Sequence, residues 1–273
     1  VVSRAKDLGF TPASERASTA QLEIKLSNIR NADSTTPTAN EMTLFRGHNF
    51  ATSFDGVSYN YVCASSKVPT RDGNIFTYSP VDIIQGQYIT DSFVFDNQIK
   101  NAKFVLSNAR VDKSKLEISV NSNGIVSKYA LSTDVSTIVS ASRVFYAQEN
   151  EEGFIEVYFG DGVLGASLKD GDVINATYIA VDDIHADGAK LFSMINNING
   201  FANATITTLT NSSGGAEKES IDSIKFKATK FYTSQNRLVT LNDYKAKVNE
   251  YYPNADAVAA VSYTHLRAHE TEE

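Results

Sequence analysis

Apolar and polar residues alternate with a period of two along much of the chain. Leu22, Ile24 and Leu26 are separated by polar residues, and this spacing is typical of a strand with one buried face. Turn dipeptides such as Asp55-Gly56 and Asn123-Gly124 separate several such runs, which indicates antiparallel hairpins. Further strands are predicted around Thr43–Phe45, Phe50–Phe54, Tyr59–Ala64, Ile75–Tyr78, Tyr88–Phe95, Phe104–Leu106, Leu116–Val120, Arg143–Ala147, Ile155–Phe159, Val173–Val181 and Phe201–Leu209. We therefore predict a β-rich region over residues 21–211, as one body or two subdomains.

Two segments have helical spacing instead. In residues 1–20, Val2, Ala5 and Leu8 share one helical face, and Pro12 is placed to open a second short helix. The predicted fold class is α+β, mainly an antiparallel β region with a short N-terminal helical segment and a C-terminal two-helix segment.

The C-terminal helical segment is predicted over residues 212–261. Ser212–Gly215 is a short run of small residues, which favours a flexible junction. After it, Ile221, Ile224, Ala228, Phe231 and Gln235 recur at three- and four-residue spacing. Thr240 and Asp243 then form a capping-box pattern for a second helix, which Pro253 would end.

The last twelve residues, 262–273, resemble translated sequencing-adapter read-through rather than a continuation of the protein. We expect this tail to be non-native. His265 and His269 are four residues apart, beside Glu270, and on a helix they would share one face as metal ligands do. Adapter origin is the preferred interpretation, so no metal site is predicted.

Composition and charge narrow the class of protein. The chain has 273 residues, a formal net charge of -7 and a single cysteine, Cys63, so that a disulfide within this chain is excluded. The acidic balance argues against a nucleic-acid partner, and no apolar run approaches the length needed to cross a bilayer. Because the first residue is Val1 rather than Met, we expect the sequence to be an internal piece of a longer protein.

Several motifs could in principle carry chemistry. Gly160–Gly165 is rich in glycine, but it lacks the phosphate-loop spacing and no helical pattern follows it. A tight turn with glycines at positive φ is the preferred interpretation. Asp161, Asp170 and Asp172 could be paired carboxylates of a glycoside hydrolase, although each lies beside glycine in a turn context, where Asp is common.

The remaining candidates also favour structural roles. Asp182, Asp183 and Asp187 could supply oxygen ligands to calcium, but the spacing is not that of an EF-hand loop. Cys63 lies in an apolar strand and is predicted to be a buried packing residue. His48 and His185 are isolated, and Lys225, Lys227 and Lys230 are expected to form a solvated helix face. We predict no catalytic, cofactor-binding or metal-binding residues.

Three stretches together resemble the baseplate-J-like family, in particular the baseplate wedge ring proteins of large contractile-tailed bacteriophages. The first stretch is Val157–Gly165, and its structural motif residues are Gly160, Asp161, Gly162 and Gly165. The second stretch is Gly214–Tyr244, and its structural motif residues are Gly214, Gly215, Glu219, Arg237, Thr240, Asp243 and Tyr244. The third stretch is Ser3–Phe10 with Pro12 and Ser14. The family's Val-Trp-Gly-Gly-type strand would follow Ala257–Val261, where the suspect tail begins.

The resemblance implies a structural protein of the virion tail baseplate, assembled in the host bacterial cytoplasm. By this resemblance it pairs with itself as a homodimer or ring and docks other baseplate wedge proteins around the hub, in a ring that rearranges on sheath contraction. It implies no enzyme activity, cofactor, small-molecule substrate, nucleic acid or membrane. The alternative is a β-rich receptor- or glycan-binding tail module, and a third hypothesis is a cell-wall hydrolase that uses a pair of the aspartates.

Overall fold

The computed structural model describes residues 4–5, 10, 12–31, 35–132, 137–150, 152–181 and 186–234. The chain consists of two compact units, each defined by the contacts among its own residues. The larger unit is Ser14–Lys218, and the described parts of Val1–Ala13 and Glu219–Glu273 belong to the smaller one. The sequence-based boundaries at residues 20, 211 and 261 differ from this division and remain predictions.

Strands dominate the described part of the chain. In chain order they are β1 (Thr19–Leu26), β2 (Asn49–Phe54), β3 (Val57–Cys63), β4 (Thr70–Asp72), β5 (Ile75–Gln85), β6 (Gln87–Val94), β7 (Phe104–Val105), β8 (Glu117–Ser122), β9 (Ile125–Leu131), β10 (Val144–Glu149), β11 (Ile155–Phe159), β12 (Val173–Ala180), β13 (Ser193–Met194) and β14 (Ala204–Ser213). A short 3-10 turn covers Lys113–Lys115, and one α-helix, α1, covers Ile221–Ser234.

The first sheet joins strands from both ends of the larger unit. Its order is β13-β2-β3-β5-β1-β14, and β4 also pairs with β5. β1 lies inside this sheet, antiparallel to β5 on one side and to β14 on the other. The predicted alternation in β1 is confirmed, because Leu22, Ile24 and Leu26 are all fully buried.

The second sheet is built from one continuous stretch of chain, β6 to β12. Its order is β6-β12-β8-β9-β10-β11-β7. All the pairings are antiparallel except the short one between β9 and β10, which joins only Val144 to Ala130 and Phe145 to Leu131. This stretch is therefore an insertion between β5 and β13 of the first sheet.

Each sheet has its own hydrophobic core. The first core contains large, fully buried side chains that include Phe50, Tyr61 and Tyr78. The second contains Phe145, Ile174 and Tyr178 together with residues of β7, β8 and β11. A smaller cluster connects the sheets and consists of Ala17, Val62, Ile84, Ile179 and Val181, with Ala64 and Tyr88 packed against it.

The chain enters and leaves the inserted sheet at almost the same point. Gly86, between β5 and β6, has φ +107°, a conformation essentially reserved for glycine. A β-carbon on Gly86 would lie 2.2 Å from the carbonyl oxygen of Ala180, the last residue of β12. The backbone at Gly86 and the backbone at Ala180 approach so closely that position 86 requires glycine.

The predicted α+β class is wrong, because the described structure is mostly β with one helix. The predicted helix from Pro12 to Ala20 is absent, since Thr19 and Ala20 already belong to β1. Arg16 pairs with Ala216 as an isolated bridge, and the amide of Ala17 donates to the buried carboxylate of Asp112 at 3.1 Å. The backbone groups of Arg16 and Ala17 therefore bind partners that are distant in sequence instead of forming helical hydrogen bonds. These tertiary contacts outweigh the weak local preference for a helix.

At the N-terminus only Arg4 and Ala5 are described as helical. The first C-terminal helix is present as α1, and its Ile224 and Ala228 are buried against Ala5 and Phe10 within the smaller unit. The second C-terminal helix, predicted from Thr240, lies outside the described residues. No helix in the described ranges has the length and apolar character that crossing a bilayer requires.

Candidate functional site

The Gly160–Gly165 motif forms a tight loop directly after β11. The amide of Gly162 donates to the carbonyl oxygen of Gly165 at 3.0 Å. A β-carbon on Gly160 would lie 2.3 Å from the carbonyl oxygen of Leu164, and one on Gly165 would lie 2.8 Å from a methyl carbon of Val144. Glycine at these positions lets the loop fold closely onto itself and onto β10.

Asp161 fixes the tip of this loop. Its carboxylate oxygen Oδ1 accepts hydrogen bonds from the amides of Val163 at 2.9 Å and Leu164 at 3.0 Å. The backbone amides of Leu164 and Val163 lower the pKa of Asp161 below its ordinary value, because they stabilise the ionised carboxylate. Asp161 is therefore a loop-fixing residue in this geometry.

The loop exposes two adjacent aliphatic side chains. Val163 is 71% exposed and Leu164 is 48% exposed, although both are held in a hydrogen-bonded backbone. The hydroxyl of Tyr146 donates to the carbonyl of Leu164 at 3.4 Å, and Tyr146 stacks on Tyr158 of the neighbouring strand. The motif thus presents apolar surface on a backbone that is held in place from several directions.

A groove of about 540 Å³ lies beside the loop. Its apolar lining comes from Phe95, Ile99, Phe104, Phe159 and Leu168, and Gly160 and Asp161 of the loop line it as well. Lys103, Gln148 and Tyr158 add polar groups. Phe104 and Phe159 meet edge to face at 6.0 Å, so the groove floor is continuous with the second core.

The double-glycine motif begins at the end of β14. Gly214 has φ +87°, and the amide of Gly215 donates to the carboxylate of Asp187 at 3.0 Å. Lys218 forms an ion pair with Glu149 at the end of β10. Ser212, predicted to belong to a flexible junction, is instead a buried residue of β14.

Glu219 lies just before α1 in the smaller unit, and its side chain is only 6% exposed. Its carboxylate accepts hydrogen bonds from the amide of Ala13 at 3.1 Å and from the hydroxyl of Ser223 at 2.7 Å, and it pairs with Lys227 at 2.8 Å. Burial raises the pKa of Glu219, but the interactions with Lys227, Ser223 and Ala13 together lower it below the ordinary value. The carboxylate ties the start of α1 to the N-terminal segment of this unit.

The Gly160–Gly165 loop and the Lys218 ion pair lie at opposite ends of the β10–β11 hairpin. Phe145 pairs with Phe159, next to the Gly160–Gly165 loop, whereas Glu149 pairs with Ile155 at the other end. The Lys218 ion pair is at that second end. The loop and the Lys218 ion pair are therefore separated by the length of the hairpin.

The other acidic candidates bind backbone and hydroxyl groups. The Asp170 carboxylate accepts from the amide of Asn97 at 3.1 Å. Asp172 is buried and accepts from the hydroxyl of Ser122 and from the amide of Lys169. Both carboxylates therefore hold turns and strand ends in the second sheet.

His48 and Cys63 pack inside the first sheet region. Burial lowers the pKa of His48 below its ordinary value, and a backbone hydrogen bond with Asn196 offsets only part of this effect. Burial also raises the pKa of the Cys63 thiol, whose sulfur donates to the carbonyl of Ser65 at 3.1 Å. A raised thiol pKa disfavours the thiolate that a nucleophile needs.

The three lysines of α1 have partners within the helix or beside it. Lys225 pairs with Asp222 at 3.4 Å, and Lys227 pairs with Glu219. The ammonium of Lys230 lies 4.2 Å from the centre of the Phe226 ring. Each of the three ammonium groups therefore already has a contact within the smaller unit.

Several predicted residues lie outside the described part of the chain. They are Asp182, Asp183, His185, Arg237, Thr240, Asp243, Tyr244, His265, His269 and Glu270. The motif roles assigned to Arg237, Thr240, Asp243 and Tyr244 remain predictions.

Sequence reasoning missed two buried polar groups that organise the larger unit. Asp112 accepts from Ala17 and also from the amide and hydroxyl of Ser114. The hydroxyl of Tyr61 bonds to those of Ser18 at 2.9 Å and Ser212 at 2.5 Å. The Asp-x-Ser spacing is a turn signal for the first group, whereas no local pattern marks the second, whose partners come from β14 and the residue before β1.

Residues 88–185 match the family model described as "Bacteriophage baseplate wedge protein gp6, third domain". These limits nearly coincide with the inserted second sheet, β6 to β12. The family model thus describes a part of the chain that is also a separate sheet with its own core.

Two similar proteins extend the comparison. The baseplate wedge protein gp6 of Enterobacteria phage T4 is 24% identical over 277 residues, which cover 92% of this chain and 40% of that protein. A cryo-EM structure of the anti-feeding prophage baseplate has a chain that aligns over 98% of this chain and 50% of its own length, with 14% identity and a TM-score of 0.36. The chain therefore spans about 40% of the curated relative it matches, and its inserted sheet is similar to the third domain of gp6-type baseplate wedge proteins.

Proposed function

We propose that this chain is a structural part of a bacteriophage tail baseplate wedge, located in the virion. The observation that carries the proposal is the match of residues 88–185 to the third domain of baseplate wedge protein gp6. The similarity to gp6 of phage T4 over 92% of the chain supports the same role for the flanking sheet.

The proposed role is scaffold rather than catalysis. The carboxylates of Asp161, Asp170 and Asp172 bind backbone amides or a hydroxyl, which is how turns are fixed. An acid–base pair for glycoside hydrolysis requires carboxyl groups that face a shared substrate position. The observed bonds support structural roles for these three aspartates.

The proposed partners are other baseplate wedge subunits and a second copy of the chain. Assembly through ring contacts would use large interfaces, which in obligate complexes typically bury about 2,000 Å² or more. The name of the T4 relative supports contact with other baseplate proteins. Self-association and membership of the baseplate-J-like family are further parts of the proposal, as is the non-native origin of residues 262–273.

Fractionation of virions of the phage that encodes this chain tests the proposal. Tails are separated into baseplates, sheath–tube assemblies and fibres, and peptides from residues 14–218 are quantified in each by mass spectrometry. We expect these peptides in the baseplate fraction at a fixed ratio to other wedge subunits. Sheath protein serves as the control for carry-over between fractions.

Enrichment in detached fibres, combined with binding of the purified chain to host glycans, would favour the receptor-binding alternative. Release of soluble fragments from host cell wall by the purified chain would favour the hydrolase hypothesis. Either result contradicts the scaffold proposal.

A further inference from the structure

The chain contains two Asn-Gly dipeptides, and each forms the exposed tip of a two-residue turn. Asn123-Gly124 joins β8 to β9, and Asn199-Gly200 lies between β13 and β14. The φ angles are +50° and +84° in the first turn and +48° and +86° in the second, and such angles are typical of type I′ turns. All four residues are exposed. The two sites therefore share a dipeptide and a turn class, and they differ in what holds the glycine amide.

The amide of Gly124 is held by a side chain. It donates to the carboxamide oxygen Oδ1 of Asn121 at 2.9 Å. The turn also closes a regular hairpin, in which Ser122 pairs with Ile125 and the pairing continues along β8 and β9. Movement of this peptide unit therefore requires the loss of hydrogen bonds that belong to the second sheet.

The amide of Gly200 is not held in this way. Within the described part of the chain it donates to no acceptor. The turn is closed by the mutual backbone bonds of Ile198 and Phe201, at 3.1 and 2.9 Å, and this pair is an isolated bridge rather than the end of a hairpin. Nothing lies within 4 Å of the place of a β-carbon on Gly200. The peptide unit between Asn199 and Gly200 therefore has room to rotate, and its rotation breaks few bonds.

We propose that Asn199 is a site of spontaneous deamidation, at which the asparagine is converted to aspartate and isoaspartate. The backbone nitrogen of Gly200 loses its proton to solvent hydroxide and attacks the side-chain carbonyl carbon Cγ of Asn199. The new N–Cγ bond closes a succinimide ring, the Cγ–Nδ2 bond breaks, and the side-chain nitrogen takes a proton from water and leaves as ammonia. A water molecule then opens the ring at one of its two carbonyl carbons. Opening at one carbon gives aspartate on the original backbone, and opening at the other gives isoaspartate.

Isoaspartate lengthens the backbone of the turn by one methylene group. Ile198 is buried in the first core, and Phe201 packs against the same core. Their mutual backbone bonds require a two-residue spacing, so the longer backbone displaces one of the two side chains. The reaction therefore loosens the connection between β13 and β14, and its extent records the age of the protein.

Ageing of the full-length protein that contains this chain tests the site. The folded protein is incubated in H₂¹⁸O at mildly alkaline pH and digested at acidic pH, and the peptides with Asn123 and Asn199 are quantified by mass spectrometry. Isoaspartate is detected by methyl transfer from a labelled donor with protein isoaspartate methyltransferase. We expect Asn199 to convert at least about fivefold faster than Asn123, with ¹⁸O incorporated at the converted residue.

The same protein unfolded in urea is the control for the effect of the fold. Both sites have the same dipeptide, so their rates should become similar once the turns are lost. Equal rates in the folded protein would overturn the proposal. A difference that persists in urea would also overturn it, because the turn structure would then not be its cause.

Asn121→Ala tests the role of the hydrogen bond. The substitution removes the acceptor of the Gly124 amide, so it should accelerate conversion of Asn123 at least about threefold and leave the rate at Asn199 unchanged. An unchanged Asn123 rate in a variant with matched circular dichroism would contradict the proposal.

Asn199→Asp separates the new charge from the longer backbone. This variant carries the carboxylate on the original backbone, so the isoaspartate fraction of the aged protein should melt at a lower temperature than Asn199→Asp. Equal melting temperatures would contradict the loosening of the turn.

Discussion

Gly86 and Ala180 approach so closely that a β-carbon on Gly86 would lie 2.2 Å from the Ala180 carbonyl oxygen. At this contact the chain passes out of the first sheet and later returns from the second. The geometry combines a steric limit with a backbone conformation, φ +107°, that L side chains rarely adopt.

Gly86→Ala should destabilise the fold by about 2–4 kcal/mol, because both strain and overlap must be relieved by backbone movement. Urea unfolding of the purified chain measures this change. Gly124→Ala is the matched control, since Gly124 also has positive φ but nothing lies near its added β-carbon. Equal effects of the two substitutions would show that the Ala180 contact carries no cost of its own.

Asp161→Ala should release the loop tip without unfolding the sheet. The amides of Val163 and Leu164 lose their shared acceptor, so their hydrogen exchange should accelerate by roughly tenfold or more. Asp170→Ala is the control, because it removes an acceptor from Asn97 in another turn and should leave Val163 and Leu164 unchanged. Unchanged exchange in Asp161→Ala would contradict the loop-fixing role.

Tyr61→Phe should destabilise the larger unit by about 1–2 kcal/mol, because a buried hydroxyl between Ser18 and Ser212 is removed and their bonds are lost. The melting temperature and the urea midpoint should both fall. Tyr129→Phe, in the partly buried surroundings of the second sheet, controls for the general effect of removing a tyrosine hydroxyl. A Tyr61→Phe protein as stable as the Tyr129→Phe protein would argue against the polar network.

We expect the smaller unit to lose stability in acid, because protonation of Glu219 removes the stabilising effect of its carboxylate. Its pKa in the folded state lies below the ordinary 4.5, so its stabilising effect is complete above the unfolded pKa and is lost as the pH falls through the lower folded value. Glu219→Ala should cost about 1–2 kcal/mol at neutral pH and flatten this acid dependence. NMR titration and amide exchange in α1 measure both effects.

Asp222→Asn is the control for Glu219, because Asp222 is almost fully exposed and its ion pair with Lys225 is on the helix surface. Exposed pairs of this kind contribute little. If Asp222→Asn and Glu219→Ala change the pH dependence equally, the buried position of Glu219 has no special effect.

Local patterns predicted much of the β structure. Leu22, Ile24 and Leu26 alternate in sequence and are buried in β1, and Asp55 and Gly56 adopt the positive φ angles of the predicted turn. The sequence pattern did not predict β9, because both faces of this strand are largely exposed and its apolar residues do not alternate with polar ones.

The helical prediction for residues 12–20 failed for a non-local reason. Ala17 is held by Asp112, which is 95 positions away in sequence, and no spacing rule reaches that far. The Gly160–Gly165 turn was predictable from its glycines, but its exposed tip and neighbouring groove depend on Phe95–Phe104, which only the folded sheet brings beside it.

The chain enters the inserted sheet at Gly86 and leaves it at Ala180, and these two points adjoin. Because residues 87–180 leave and re-enter the first sheet at adjoining points, a short turn between Gln85 and Val181 would restore the chain after their removal, but the apolar side chains of Val62 and Ile84 would lose the cover of Ile179. The pairing of β1 with β5 and β14 uses no residue of the insertion, so the insertion is a discrete unit within the chain.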